Sequence, residues 1–362
     1  MAKTDPVAPD ASLAGGAYSH RGLTYPLGRR GPEPGELIAL ADGIGWARLP
    51  VPGSLKHINV WALDDGDGVA LVDTGLDIPP SREAWEALFA GPLAGRPVTR
   101  VIVTHFHPDH IGLAGWLTER FEVPLVMTRE EWLFARMLMA DVRDTPPEAA
   151  LAYWRAAGWP EERIEAERAK GWGRFASVVS PVPVSFRRIR EGDVLEIGAR
   201  RWRVLIGSGH CPEHACLVDE AGKVMIAGDQ VLPRITSNVS LSLSEPLADP
   251  LGDWLHSIDR LAELPDDLLV LPSHGEPFTG LHARLEALRD GHHGRLDALA
   301  AHLAEPRRAV DCFSILFGRA IDDSVLGLAT GEALAHLRWL EARERAVRER
   351  LDGVDHWRAA GA

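Results

Sequence analysis

Thr104-His105-Phe106-His107-Pro108-Asp109-His110 places three imidazoles and a carboxylate within six positions, directly after the apolar run Val101-Ile102-Val103. The β-branched content of Arg100–Thr104 reads as a buried strand. Ile111-Gly112-Leu113-Ala114 begins a helix, so the run lies on the loop between the two. Residues at i and i+2 of an extended segment point the same way. Such a loop aims His105 and His107 at one point and the Asp109–His110 pair at a neighbouring one. Imidazole and carboxylate are zinc-type ligands. A lone H-x-H carries little weight, but four ligand-type side chains this close together are hard to obtain from an ordinary solvated loop.

Working outward, three more segments repeat the same placement. Gly207-Ser208-Gly209-His210-Cys211-Pro212-Glu213-His214 comes directly after the strand pattern Val204-Leu205-Ile206. Its glycines permit a tight turn and close backbone approach, and His210 reads as a third imidazole. His214 is either a further ligand or a group that shapes the loop, and the second reading is favoured. Cys211 reads as a small side chain filling space beside His210. Ala227-Gly228-Asp229 ends another strand, and a carboxylate with two oxygens can bridge two ions. Pro272-Ser273-His274-Gly275 ends the last strand of the region. Val72-Asp73-Thr74-Gly75 closes an earlier one.

The rest of the chain supplies context. It has 362 residues, 46% hydrophobic and 25% charged, with a formal net charge of −13. That composition is globular, and the acidity disfavours sequence-independent binding to nucleic acid. Three cysteines, Cys211, Cys216 and Cys312, give no disulfide framework and suit a reducing cytosol. No secretory leader or bilayer-spanning run is evident, so the expectation is a soluble, cytoplasmic protein without a membrane partner. Residues 1–35 read as an extended arm. Strands are expected at 37–40, 59–63, 69–72, 100–104, 124–127, 186–189, 194–197, 202–206, 215–218, 224–227 and 268–271. An amphipathic helix opens at Ser81. Residues 129–175 read as a helical insertion, and from Leu281 the pattern is helical through 281–303, 312–317 and 328–351. The core domain is then 36–290 and a helical tail 291–362.

The segments Thr104–His110, Gly209–His214, Gly228-Asp229 and Ser273–Gly275, with Val72–Gly75 upstream, resemble the metallo-β-lactamase superfamily in order and spacing, over about residues 37–290. The resemblance implies an α/β, four-layer αββα sandwich with, here, a helical insertion and a helical C-terminal extension. It implies a dinuclear centre of two divalent ions, zinc first, with manganese and iron sharing the same ligand types. Carried over by motif, His105, His107 and His210 hold one ion, Asp109, His110 and His274 the other, and Asp229 bridges them. Asp73 is implied to be a buried residue that orients the ligand loops. Gly209–His214 is similar to the glyoxalase-II-type G-H-[ST]-P-x-H pattern, from which Cys211 departs. True class B β-lactamases often carry Cys at the position of Asp229. The tail resembles the small winged-helix-like tail of glyoxalase-like hydrolases. It reads as a packing element or as the dimerisation element of a homodimer.

What this implies chemically is a hydrolase in which a metal-bridging hydroxide attacks an ester, a thioester of acyl-CoA or glutathione type, or a lactone. Asp109 also accepts or relays the proton as a catalytic group. The partner expected is a small acyl substrate. The insertion carries Trp132, Phe134, Met137, Met139, Tyr153, Trp154, Trp159 and Trp172, which either form an apolar acyl pocket or pack the insertion. His57 and Asn238 are candidate substrate contacts. Alternatives on the same fold are an iron-dependent oxidoreductase, such as a persulfide dioxygenase, or a small ribonuclease.

Overall fold

The computed structural model describes residues 16–361. The stretch 1–15 of the expected arm lies outside the described residues. The remainder of the arm opens with a hairpin of β1 (Tyr18–His20) and β2 (Leu23–Tyr25). Tyr18 stacks on Tyr25 at 4.7 Å, Leu23 and Tyr25 are buried, and Thr24 exchanges backbone hydrogen bonds with Thr279. An arm rich in turn residues therefore docks because its few apolar side chains find a groove.

The first large sheet runs, in spatial order, β3 (Ile38–Ala41), β4 (Ile44–Val51), β5 (Lys56–Asp65), β6 (Gly68–Val72), β7 (Val98–Ile102), β8 (Leu125–Met127) and β9 (Arg187–Arg188). It is antiparallel up to β6 and parallel beyond. The crossovers carry α1 (Pro79–Ala90), α2 (Pro108–Ile111) and α3 (Ala114–Phe121), then α4 (Arg129–Ala140), α5 (Glu148–Ala156) and α6 (Glu161–Arg168) between β8 and β9. The second sheet is β10 (Val194–Ile197), β11 (Arg200–Gly207), β12 (His214–Asp219), β13 (Val224–Gly228) and β14 (Leu269–Pro272), with α7 (Pro250–Leu261) crossing to the parallel last strand. Helices α8 (Leu281–His302), α9 (Phe313–Phe317) and α10 (Leu326–Ala342) come next, then a hairpin of β15 (Ala346–Leu351) and β16 (Val354–Ala359).

The period-two alternation of the strands sorts their side chains into layers. Val224 and Ile226 face the first sheet, sharing a core with Trp46, Trp61, Val72 and Ile102. Met225 and Ala227 face outward against Trp254, Leu281 and Leu285 of α7 and α8. Leu71 and Val101 face the other way, onto Trp85, Leu88 and Leu117 of α1 and α3. Strands that are apolar on both faces have to be covered on both. The result is a four-layer αββα sandwich.

Three expectations need correction. The sequence pattern gives no strand at β4, because Gly45 and Pro50 look like breakers. Pro50 nonetheless pairs with His57 near the strand's end. The tail is helical only to Ala342. The charged run Arg343–Leu351 reads as a solvated helix face, yet Glu344 takes φ +55° and the chain turns into β15. There Arg348 and Arg350 reach Asp355 of β16, and Trp357 is buried. The boundary expected at 290/291 falls inside α8, whose Leu285, Leu288, Leu296 and Leu299 belong to one core.

Candidate metal centre

Every candidate ligand lies just past the carboxyl end of a strand: residues 105–110 after β7, His210 after β11, Asp229 after β13 and His274 after β14. Asp73 directly succeeds β6. The structure brings all of them to one edge of the sandwich, the place where open α/β sheets gather ligands.

Three ring nitrogens face one another. His105 Nε2 lies 2.9 Å from His107 Nδ1 and 3.3 Å from His210 Nε2, and the last two are 3.0 Å apart. Tetrahedral imidazole ligands at about 2.0–2.1 Å from a zinc ion stand roughly 3.3 Å apart. Beside them, His274 Nε2 is 3.3 Å and His110 Nε2 3.9 Å from Asp109 Oδ2. Asp229 sits between the two groups. Its Oδ1 is 3.5 Å from both His110 Nε2 and His274 Nε2, and its Oδ2 is 3.5 Å from His210 Nε2. Among the described residues, the sets of ligand atoms that converge within 4.8 Å draw only on these seven side chains.

Neighbouring groups fix the imidazole tautomers. His210 Nδ1 donates to the Asn238 carbonyl at 2.7 Å. His274 Nδ1 donates to the His57 carbonyl at 2.8 Å, and His110 Nδ1 to Asp73 Oδ2 at 2.8 Å. In each ring the other nitrogen faces the centre, where its lone pair would bind an ion; in a metal-free chain burial is outweighed by the carboxylates around it, which hold His110 and His274 above their ordinary values. His110 Nε2, His274 Nε2 and Asp229 Oδ1 are buried with no hydrogen-bond partner. Buried polar atoms are rarely left so, and here three of them point at one place. The donor set therefore fits divalent metal ions. Burial depresses His107 to about 3 and His105 well below its usual value, so both rings are neutral. Asp109, despite its burial, is held down at about 2 by His110 and His274.

Asp73 takes φ +61° and is fully buried. Besides His110 it accepts the Thr104 amide at 2.9 Å and the Thr104 hydroxyl. It thereby ties the end of β6 to the start of the ligand loop. Asp73→Asn keeps the shape, and Asn tolerates positive φ. It removes the charge that holds His110 in its tautomer. The expected result is a folded protein whose metal affinity falls about 10–100-fold, read by competition with a chelating dye. Unchanged affinity would remove Asp73 from this role.

His214 is not aimed at the ligand cluster. Its Nε2 accepts the Asp229 amide at 3.0 Å. Residue 228 has to be glycine, since it takes φ +54° and a Cβ there would lie 2.4 Å from that ring. The Asn238 carbonyl orients His210, while its side-chain amide reaches Glu332 and the Leu328 carbonyl of α10. His57 orients His274 through its carbonyl. Its ring Nε2 is buried without a partner.

One residue is invisible to the sequence pattern. Glu131, in the first turn of α4 and fully buried, accepts the Phe106 amide at 2.9 Å and the Glu213 amide at 2.7 Å. It also receives the Cys211 thiol. It clamps the two ligand loops together. Burial pushes its carboxyl up to about 7, and burial together with Glu131 raises Cys211 well above the usual thiol range, so Cys211 stays a thiol. In sequence, Thr128-Arg129-Glu130-Glu131 looks like a helix capping box, but Thr128 makes no such cap.

The aromatic residues of the insertion divide. Trp132 stacks on Phe186 at 4.6 Å. The Tyr153 hydroxyl donates to the Leu241 carbonyl, Trp159 stacks on Trp154 and donates to Thr330, Trp172 donates to Asp141, and Met139 packs into the core under the first sheet. These pack the insertion. Phe134 instead stacks on Phe106 of the ligand loop at 5.4 Å, and Met137, with Leu133, stays about half exposed.

The family described as the metallo-beta-lactamase superfamily matches residues 53–274. A second, described as the metallo-beta-lactamase-like C-terminal domain, matches residues 296–360. The chain is similar to a beta-lactamase domain protein from Burkholderia ambifaria, with 40% identity and a TM-score of 0.87 over 93% of this chain and 98% of that one. It is 30% identical to the "Probable metallo-hydrolase YqjP" of Bacillus subtilis over 82% of this chain and 92% of the relative. It is 29% identical to the acyl-coenzyme A thioesterase MBLAC2 of Gallus gallus over 66% of this chain and 80% of the relative. No helix among the described residues is long and apolar enough to cross a membrane.

Proposed function

The chain belongs to the metallo-β-lactamase superfamily, and from that premise we propose that it is a dinuclear metal-dependent hydrolase of acyl thioesters of the coenzyme A type. The observation that carries the substrate class is the apolar face running out from the ligand loop, Phe106 onto Phe134 and then onto exposed Leu133 and Met137. An acyl chain laid there buries surface that water otherwise wets, and brings its carbonyl to the centre. The thioesterase relatives support the same class.

His105, His107 and His210 would hold one ion, Asp109, His110 and His274 the other, with Asp229 shared. When bound, the pair supplies a water acidic enough to be deprotonated near neutral pH and a Lewis acid for the carbonyl oxygen. The chain does the rest. Asp109, beside His274 at 3.3 Å, would offer a carboxylate oxygen to accept and relay a proton. The His57 and Asn238 carbonyls keep His274 and His210 from rotating. The Phe106 and Phe134 rings exclude water from the acyl side. Cys211, donating to Glu131, performs the loop-fixing task open to the Ser or Thr of the glyoxalase-II-type pattern, which supports that subgroup. The helices leading into the β15–β16 hairpin support a winged-helix-like tail. Three cysteines outside any disulfide fit a reducing cytoplasm.

Zinc-reconstituted protein is expected to cleave medium-chain acyl-CoA in preference to acetyl-CoA, acyl-glutathione, lactones, phosphodiesters and β-lactams. The check is a steady-state panel of kcat/KM values. Leu133→Asp should cut the preference for the longer acyl chain. Turnover of a persulfide with oxygen uptake and one iron per chain, and none of thioesters, would overturn the proposal.

A further inference from the structure

A cavity of about 430 Å3 lies behind the metal centre, between the β1–β2 hairpin, α8 and α9. Four guanidinium groups, Arg21, Arg234, Arg284 and Arg295, line it, and among the described residues no Asp or Glu does. That is unusual on a chain of net charge −13. Arg284 donates to the Leu232 and Ile235 carbonyls at 2.5 and 2.7 Å, which fixes its guanidinium in place. Arg234 is paired with Glu276 at 2.9 Å. Arg295 has Glu332 only at 3.9 Å, and its Nη1 makes no hydrogen bond. Thr236 also lines the cavity. It is 9% exposed, and its buried hydroxyl has no partner. Guanidinium groups gathered around one cavity suit the oxygens of a phosphoryl group.

The cavity and the metal centre share a wall. Ser237 donates to the Asp229 carbonyl and Asn238 orients His210, while Pro233, Arg234 and Thr236 of the same segment line the cavity. Gly275, next to His274, backs onto Pro233 so closely that a Cβ there would lie 2.8 Å from its ring. One loop, residues 233–238, thus separates the cavity from the centre.

We propose that this cavity binds the phosphorylated end of the acyl carrier, and so selects a phosphorylated thioester over one carried by a peptide thiol. The inference rests on the thioesterase reading but is tested apart from it. Gly291 of α8 lines the cavity, and a Cβ added there meets nothing within 4 Å. Gly291→Ala should therefore leave the cavity usable, whereas Gly291→Glu puts a carboxylate among the arginines.

The experiment is calorimetric titration of the metal-loaded full chain with desulfo-coenzyme A, which keeps every phosphate but has no thiol to ligate metal. Saturable binding that weakens with salt is expected in the wild type and in Gly291→Ala. In Gly291→Glu it should weaken about tenfold or more. Pantetheine and glutathione should bind no differently in the two variants. Equal affinity of desulfo-coenzyme A for wild type and Gly291→Glu overturns the proposal. So does a Gly291→Glu effect confined to glutathione, which would make the cavity a carboxylate site. Binding lost in Gly291→Glu from a protein that cleaves no thioester upholds the cavity and rejects the thioesterase reading. Thioester cleavage with equal desulfo-coenzyme A affinities does the reverse.

Discussion

Asp229→Ala is expected to leave a folded chain that holds one divalent ion in place of two and turns over at most about a thousandth of the wild-type rate. Asp229 is the group whose two oxygens face different ligand sets, Oδ1 toward His110 and His274 and Oδ2 toward His210. Removing it leaves the triangle of His105, His107 and His210 nitrogens intact. The other set is reduced to Asp109, His110 and His274, with nothing to couple it to the first. Metal ions contribute several kcal/mol to stabilising developing charge, and about 4 kcal/mol corresponds to roughly three decades in rate. The measurement is kcat/KM on the best thioester of the panel, with metal content determined on the same sample. A variant retaining two ions and a rate within about tenfold of wild type would show that Asp229 does not couple the sets.

The second large effect is expected at Glu131, a residue that touches no candidate ligand. Glu131→Ala strands two buried amides, those of Phe106 and Glu213. Each orphaned buried donor costs about 1–3 kcal/mol, so the loss is about 2–6 kcal/mol against a total stability of roughly 5–15 kcal/mol. The amides belong to the loops that carry His107 and His210, so metal affinity should fall along with stability. Because the Ala variant risks not folding, Glu131→Gln is the companion. Its amide oxygen still accepts one N–H, but its NH2 group opposes the other. An intermediate loss of stability in denaturant titrations is expected, with metal affinity lowered about 10–100-fold. Wild-type stability and affinity in the Gln variant would mean that the clamp holds nothing.

The two residues mark where the sequence is legible and where it is not. Asp229 is readable because its position type, the end of a strand, recurs for His105–His110, His210 and His274. Four such strand ends in order can converge only on one edge of a sandwich. Glu131 is not readable. Its partners are backbone amides 25 and 82 residues away, and amides leave no mark in sequence. Its own surroundings imitate a capping box that the fold does not use. The same contrast runs through the fold. The apolar, β-branched strands β6, β7, β12 and β13 announce themselves because both faces are buried. β4 hides behind Gly45 and Pro50, since only the pairing partner decides whether a proline's missing donor matters. The β15–β16 hairpin hides because alternating Arg and Glu suit an exposed helix as well as an exposed strand. The arginine cavity likewise draws residues from 21 to 295, a separation at which local pattern carries no information.

Seven side chains, carried on the loops after four strands and on α2, would together form one two-ion centre. The most direct test is elemental analysis of the full-length protein after dialysis against metal-free buffer, with ions counted per chain. Two divalent ions are expected in the wild type and one in Asp229→Ala. A wild-type protein that holds a single ion, or one whose count does not change in Asp229→Ala, would contradict it.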